Sequence, residues 1–121
     1  LMISEKVIFW GARKDIHFFY KQAKIFAFTS VSEGFPNALL EALSFGLPSI
    51  AFDCIAGPSD LIIDGYNGFL ITELDQKTYK EKLIELMDDN VFVKLAKNTQ
   101  KHAGEFDIEK IGQKYLDTLL S

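Results

Sequence analysis

Two glutamates, Glu33 and Glu41, are the residues whose spacing and surroundings most favour chemistry. Seven residues separate them, in the segment Glu-Gly-Phe-Pro-Asn-Ala-Leu-Leu-Glu. A carboxylate is a poor ligand for phosphate but a good bidentate acceptor for the hydroxyl groups of a sugar. An arbitrary pair of glutamates more often lies solvated on a helix or loop surface. The elements around the pair must therefore decide between the two interpretations.

An apolar segment at residues 25–29 precedes the pair and predicts a buried strand. Gly34 and Pro36 then indicate a turn into a helix over residues 36–45 that stops at Gly46. Proline is tolerated at a first helical position because its missing N–H would be unpaired there anyway. A strand, a short loop and a helix start form a common anion-binding arrangement in α/β proteins.

The start of this helix predicts a phosphate site between the two carboxylates. The amides of Asn37, Ala38 and Leu39 would have no partner within the helix and would face a phosphate. Glu41 would lie roughly 7 Å along the axis from the helix start. A ligand with hydroxyls, then phosphate, then hydroxyls would satisfy all three elements. A nucleoside-diphosphate sugar has that order of groups.

The whole chain predicts an α/β fold, a Rossmann-like parallel sheet with helices on both faces. The expected strands are residues 7–10, 25–29, 49–52 and 69–71, and the expected helices before residue 75 are 15–23, 36–45 and 59–63. Asp15 and Ser59 are expected to cap the first and third of these helices. The continuously apolar strand at residues 49–52 is typical of a parallel sheet that is covered on both faces.

After Asp75 the pattern predicts three amphipathic helices and no further strand. Their apolar faces are expected to pack in the core. The residues on these faces are Tyr79, Leu83, Leu86 and Met87, then Val91, Leu95 and Ala96, and finally Ile108, Ile111, Tyr115, Leu116 and Leu119.

Composition excludes several classes of function. A net charge of −4 over 121 residues argues against a nucleic-acid binder, which needs a basic face. The single Cys54 rules out an internal disulfide and is interpreted as a buried thiol at a strand end. His17 and His102 have no cysteine or acid at ligand spacing, so a metal site is not expected.

The segment from Glu33 to Pro48 closely resembles the Glu-seven-Glu signature of retaining glycosyltransferases of the GT-B fold, family 4, also called group 1. Residues 7–11 look like the strand and glycine that contact the nucleotide base in this family. Residues 57–62 are similar to its Gly-Pro-Ser-Glu stretch, and residues 64–71 to its Asp-Gly-x-Asn-Gly turn. The resemblance implies a partial carboxyl-terminal, donor-binding domain.

The resemblance implies a catalytic role for Glu33, which would contact the hydroxyls of the transferred sugar and help to stabilise charge as the glycosidic bond breaks. Glu41 would hold the ribose hydroxyls. The other substrate-binding residues that it implies are Gly34 and Phe35 in the loop, the amides of Asn37, Ala38 and Leu39, Ala12 and Arg13 beside the base, and Gly57 and Ser59 in the same cleft. Arg13 is equally interpretable as a solvated loop charge, and Asp60 stands where the family usually has Glu. The family implies no cofactor and no metal.

Enzymes of this family have two Rossmann-like domains, and the sequence is similar to the later part of the second. Residues 1–121 are expected to form one partial nucleotide-sugar-binding domain, with residues 75–121 as its helical part. The start at Leu1 rather than Met fits excision from a longer polypeptide. The basic residues that neutralise the leaving diphosphate in the family lie outside this sequence, so the fragment alone is expected to be inactive.

The implied donor is a nucleoside-diphosphate sugar, and UDP-sugars are favoured because the motifs look most like bacterial enzymes that build surface polysaccharides. The acceptor, a glycan or a lipid-linked sugar, would be bound by the missing amino-terminal domain. The expected location is cytoplasmic, with peripheral contact at the inner face of the membrane.

Other interpretations stay open. One is a non-catalytic sugar-nucleotide-binding or interaction module of the same fold, although the intact pair of glutamates counts against it. Another is a folded half-site that is too incomplete to bind, whose exposed sheet edge would favour association between copies. A glycosidase is a poor analogy, because its paired carboxylates need no phosphate-binding helix start between them.

Overall fold

The structure of the protein is a computed structural model that describes residues 16–29, 37–53 and 58–106. The strands are Phe26–Phe28 (β1), Ser49–Asp53 (β2) and Gly68–Thr72 (β3). The helices are Ile16–Gln22 (α1), Asn37–Ser44 (α2), Pro58–Leu61 (α3), Gln76–Leu86 (α4) and Asp89–Lys101 (α5), followed by a 3₁₀ helix, Ala103–Phe106. The strand predicted at residues 7–10, the helix predicted beyond residue 107, Asp15 and Cys54 lie outside the described residues.

The three strands form the predicted parallel sheet, and their order in it is β1-β2-β3. Ala27 pairs with Ile50, and Ile50 pairs with Phe69. The connections between successive strands contain α2 and then α3. The central strand is buried from Ser49 to Phe52. Helices cover both faces of the sheet, so the strand does not alternate between buried apolar and exposed polar residues as a half-exposed strand does.

One side of the sheet, the α2 face, packs against α2 and α3. Its buried apolar residues form one cluster: Phe28, Leu39, Leu40, Leu43, Ala51, Leu61 and Ile62. Phe106 of the 3₁₀ helix also packs against this cluster. The apolar positions of α2 recur at helical spacing, so a single face of a short helix fills the space above the strands.

The other side, the α4 face, packs against α4 and α5. Its buried apolar residues are Ile50, Phe52, Phe69, Ile71, Tyr79, Leu86 and Leu95. Alternate residues of β2 supply both faces, with Ala51 toward α2 and Ile50 toward α4, as the period of two in a strand requires. The amphipathic patterns predicted for α4 and α5 are confirmed at Tyr79, Leu86 and Leu95.

Helix ends follow the expected chemistry at three positions. The Asp75 carboxylate accepts the amide of Thr78 at 3.1 Å and caps α4, and Asp88 caps α5 in the same way by accepting the amide of Asn90 at 3.0 Å. Gly46 follows α2 with a φ of 80°, a left-handed conformation that glycine adopts without strain. The predicted stop of the signature helix at Gly46 is therefore confirmed.

Two expectations about helix ends are wrong. Ser59 does not cap α3, because the helix already begins at Pro58 and Ser59 lies inside it. Met87 does not join the apolar face of α4, since it is the residue that ends the helix and its side chain is 65% exposed. The spacing of apolar residues does not predict that α4 ends at Leu86.

The turn before β3 is held by the buried side chain of Asn67. Its Oδ1 accepts the amide of Ile63 at 2.8 Å, and its Nδ2 donates to the carbonyl of Leu61 at 3.0 Å. A Cβ on Gly68 would lie 1.8 Å from the carbonyl oxygen of Ser49, so no larger residue fits there. The predicted Asp-Gly-x-Asn-Gly turn is confirmed, and its asparagine has a structural role.

Candidate functional site

The candidate site lies at the carboxyl edge of the sheet, which is the side on which the carboxyl-terminal ends of the parallel strands lie. Strand β1 ends at Phe28 and α2 begins at Asn37, whereas β2 ends at Asp53 and α3 begins at Pro58. The carboxyl ends of neighbouring parallel strands meet at one edge, and α2 and α3 pack against each other. The starts of both helices therefore lie at the edge where open α/β sheets bind their ligands.

Helix α2 presents its first residues at this edge. Asn37 is the first helical residue, and Ala38 is exposed. Leu39 is 0% exposed and belongs to the core of the α2 face, so its amide is the part of Leu39 that could serve a ligand. The first amides of a helix lack partners within it and carry the positive end of its dipole. This end of α2 can bind an anion.

Glu41 lies on α2, one turn beyond the helix start, and is half-buried. The hydroxyl of Ser44 donates to the backbone carbonyl of Glu41 at 2.6 Å, so this bond does not involve the Glu41 carboxylate. A carboxylate at this position can hold a vicinal diol while the helix start binds a phosphate.

Tyr20 on α1 packs in a buried cluster with Ala42, the residue that follows Glu41 on α2, and the sequence did not predict this contact. Burial raises the pKa of the Tyr20 phenol, and the negative charge of Glu41 raises this pKa further. Since α1 and α2 are separated by β1 in the chain, no local pattern indicated this contact.

The remaining predicted site residues divide into two groups. Ser59 lies on α3 at the carboxyl edge, and its side chain is exposed, as is that of Asp60. The other predicted site residues, Ala12, Arg13, Glu33, Gly34, Phe35 and Gly57, lie outside the described residues. The structure thus places Asn37, Ala38 and Glu41 together on α2, with Ser59 on the helix packed beside it.

A groove of about 330 Å³ opens at the same carboxyl edge, on the α4 face. It is lined by Thr29, Phe52, Leu74, Gln76, Tyr79, Lys80 and Leu83. Thr29 follows β1 directly and Leu74 follows β3, so the groove lies beside strand ends. Its walls are mostly apolar, and Lys80 is the charged residue among them.

A second cluster of polar side chains lies on the side of the sheet opposite the carboxyl edge, beside the turn before β3. The hydroxyl of Tyr66 is 2.8 Å from Nε2 of His102, and Nδ1 of His102 is 3.1 Å from Oε1 of Glu105. The expectation that His102 has no acidic neighbour is wrong, because the 3₁₀ helix turns Glu105 back toward it. Within residues 16–29, 37–53 and 58–106, no three or more His, Cys, Asp or Glu side chains are grouped to hold a metal ion.

The helices in the described parts of the chain include none with the length and apolar character needed to cross a membrane.

Comparison with known proteins identifies relatives over most of the chain. The UDP-Gal:alpha-D-GlcNAc-diphosphoundecaprenol alpha-1,3-galactosyltransferase of Escherichia coli is 32% identical over 98% of this chain and 32% of its own length. The N,N'-diacetylbacillosaminyl-diphospho-undecaprenol alpha-1,3-N-acetylgalactosaminyltransferase of Campylobacter jejuni is 34% identical over 93% of this chain and 30% of its own length. The chain thus spans about a third of the length of these curated relatives.

A solved structure of a relative has the same fold as this chain. The crystal structure of Anabaena Alr3699/HepE in complex with UDP superposes with a TM-score of 0.76 at 30% sequence identity, over 97% of this chain and 33% of that protein. The structural relatives are GT-B glycosyltransferases, which agrees with a partial Rossmann-like carboxyl-terminal domain. The sequence model of the family described as glycosyl transferases group 1 matches residues 1–106. The chain therefore belongs to the group 1 glycosyltransferases.

Proposed function

We propose that this chain is the donor-binding part of a retaining glycosyltransferase of GT-B family 4. The complete enzyme moves a sugar from a nucleoside-diphosphate sugar, with a UDP-sugar favoured, to an acceptor hydroxyl. The observation that carries the proposal is the arrangement of α2, whose start lies at the carboxyl edge of the sheet and whose next turn carries the half-buried Glu41. Phosphate and ribose hydroxyls of one nucleotide fit these two features.

The chemistry proposed for the site needs little covalent participation by the protein. The bond between the anomeric carbon and the diphosphate oxygen breaks, and the acceptor oxygen bonds to the anomeric carbon on the same face. The leaving phosphate oxygen takes the acceptor proton, and the nucleoside diphosphate departs. The amides at the start of α2 stabilise the charge that develops on the diphosphate. Glu33 contacts the transferred sugar in this proposal, and Glu41 holds the ribose.

Two comparisons support the favoured donor and the class of acceptor. The Anabaena relative was crystallised with UDP, and the Escherichia coli relative is named for a UDP-galactose donor and a diphosphoundecaprenol-linked acceptor. We extend both features to the complete enzyme, with a role in surface polysaccharide or glycan biosynthesis and a place at the inner face of the membrane. Residues 1–121 alone are proposed to be inactive, since the chain spans about a third of its relatives.

The test is hydrolysis of UDP-sugars by the complete polypeptide, with water as the acceptor so that the natural acceptor is not needed. Proton NMR during the first minutes reads the anomeric configuration of the released sugar before mutarotation. The expected product from a UDP-α-sugar is the α-sugar. Release of the β-sugar would overturn the retaining mechanism. GDP-mannose is the matched control donor, and its preferential use would overturn the choice of a UDP-sugar.

A Glu33→Gln variant sharpens this test. It is expected to lower the rate of hydrolysis by about 10²-fold or more while UDP binding, which depends on α2 and Glu41, changes little. A variant with full activity would remove Glu33 from the proposed chemistry.

A further inference from the structure

The α4 face has an uncovered trough between α4 and the strand β1. Successive residues of a strand point to opposite faces, and Phe26 and Phe28 pack on the α2 face. Ala27 therefore points to the α4 face, where it is exposed although its partner Ile50 is buried. The floor of the trough is formed by Ile25, Ala27 and Thr29, and its wall by Lys80, Leu83 and Met87 of α4.

The wall of the trough continues an apolar surface along α4. Leu83 lines the groove beside Thr29, and Met87 lies four residues further on, on the same side of the helix. Met87 is 65% exposed, and Ile84 beside Leu83 is exposed as well. Exposed apolar residues that are scattered singly need no explanation, but residues continuous with a groove mark a surface for a partner.

The width of the trough fits a helix. Neighbouring strands lie about 4.8 Å apart and packed helices about 8–10 Å apart, so one helix covers about two strands. Helix α4 contacts β2 and β3. The next helix position on this face therefore lies over β1 and over the strand position beyond it.

The winding of the sheet indicates which kind of helix fills that position. Crossovers between parallel strands are right-handed, which fixes the face on which the connecting helix lies. Helices α2 and α3 connect strands in the direction from β1 to β3 and lie on the α2 face. A connecting helix on the α4 face must therefore join strands that are added in the opposite direction, beyond β1.

The described residues nearest to the two chain ends lie away from the trough. Tyr20 of α1 packs with Ala42 of α2, and Phe106 packs against the cluster of the α2 face. The chain spans about a third of the length of the curated relatives that it matches, so a longer polypeptide has residues to supply such a helix.

The charge of the trough gives a second property of its partner. Lys80 lines the groove, and among residues 16–29, 37–53 and 58–106 no carboxylate forms an ion pair with it. A helix that returns from the carboxyl edge runs parallel to α4 and begins near Lys80. An acidic residue in its first turn would complement both Lys80 and the helix dipole.

We propose that the trough is the docking surface for one amphipathic helix of the complete polypeptide, from a part outside residues 1–121. The apolar side of this helix packs on Ala27, Leu83 and Met87, and an acidic residue in its first turn faces Lys80. The helix connects strands that extend the sheet beyond β1. The inference concerns the assembly of the domain, so it does not depend on whether the chain binds UDP.

The first test measures whether the trough is covered in the complete polypeptide. Met87→Cys and Val93→Cys each place a thiol at an exposed apolar position, and Val93 of α5 does not line the trough. Since Met87 is 65% and Val93 47% exposed, an open trough makes position 87 at least as reactive. We expect maleimide to label position 87 at least about tenfold more slowly, because a covered thiol reacts only through local opening.

Mass spectrometry of the peptides that contain positions 87 and 93 separates their labelling from that of Cys54. Equal rates in denaturant serve as the control for intrinsic reactivity. Equal rates in the folded protein, or faster labelling at position 87, would overturn the inference.

The second test identifies the partner without a change in side-chain size. Photo-methionine incorporated in place of methionine puts a photoreactive group at position 87 of the complete polypeptide. The expected cross-links join position 87 to a helix outside residues 1–121 of the same molecule. Cross-links confined to residues 1–121, or cross-links between molecules in a mixture of isotope-labelled and unlabelled protein, would overturn the inference.

Discussion

The two faces of the sheet are built differently. On the α4 face, helices of 11 and 13 residues begin with aspartate caps that accept backbone amides. On the α2 face, α2 has only eight residues, three of which are leucines that are at most 1% exposed. The α4 face thus has long helices whose first backbone amides are capped by aspartates. By contrast, α2 depends on its core contacts and presents its first backbone amides at the candidate site.

The coverage of the edge strand also differs between the faces. Phe26 and Phe28 of β1 pack on the α2 face, whereas Ala27, which shares the register of Ile50, is exposed. The α4 face therefore covers β2 and β3 more fully than β1, and the groove beside Thr29 lies where that cover ends. Glu41 lies on a helix whose leucines form the core of the α2 face, so a change in that core reaches the candidate site directly.

The largest expected effects come from matched leucines on the two faces. Leu43 on α2 and Leu86 on α4 are both 0% exposed, so Leu43→Ala and Leu86→Ala are each expected to lower the free energy of unfolding by about 2–5 kcal/mol. The variants should differ in function, because Leu43 lies on the helix that carries Glu41. Urea unfolding measures the first effect, and UDP titration at a temperature where both variants are folded measures the second.

Weaker UDP binding by Leu43→Ala, with wild-type affinity retained by Leu86→Ala, would support the division between the two faces. Equal losses of affinity in the two variants would contradict this division, since the α4 face would then influence the site as strongly as the α2 face does.

A smaller effect is expected at Tyr79, where α4 reaches the edge strand. Its hydroxyl donates toward the carbonyl oxygens of Phe28 at 3.2 Å and Ile50 at 3.3 Å. Removing this donor in Tyr79→Phe is expected to lower the free energy of unfolding by about 1 kcal/mol near pH 7. The division between the two faces predicts that UDP affinity stays unchanged in this variant.

The same residue gives a pH dependence with a defined sign. Burial raises the pKa of Tyr79 to about 12, whereas an unfolded tyrosine titrates near pH 10. The stabilising contribution is therefore complete below about pH 10 and is lost as the pH rises through about 12. Urea unfolding across this range should show a steeper loss of stability in wild type than in Tyr79→Phe. Parallel curves would contradict the assignment.

Much of the fold was predictable because its signals are local. The apolar run at residues 49–52, the glycine at position 46 and the helical spacing of Tyr79, Leu86 and Leu95 each follow from one segment of chain. The errors at Ser59 and Met87 concern single residues at helix ends, where backbone geometry rather than periodicity decides.

The candidate site was predictable only in part. The spacing of residues 33–41 indicated the helix start and the place of Glu41 on it, since strand, loop and helix follow each other in the chain. The packing of Tyr20 with Ala42 and the contact of Glu105 with His102 could not be predicted in the same way. The first depends on packing between two helices, and the second on a 3₁₀ turn that no motif indicates.

The most direct test of the donor site is calorimetric titration of the complete polypeptide with UDP, comparing wild type with Glu41→Ala. We expect wild type to bind UDP and the variant to bind about tenfold more weakly or worse, a loss of about 1.4 kcal/mol or more. GDP serves as the matched control nucleotide. No binding of UDP by wild type, or equal affinities for wild type and Glu41→Ala, would contradict the assignment of Glu41 to the nucleotide.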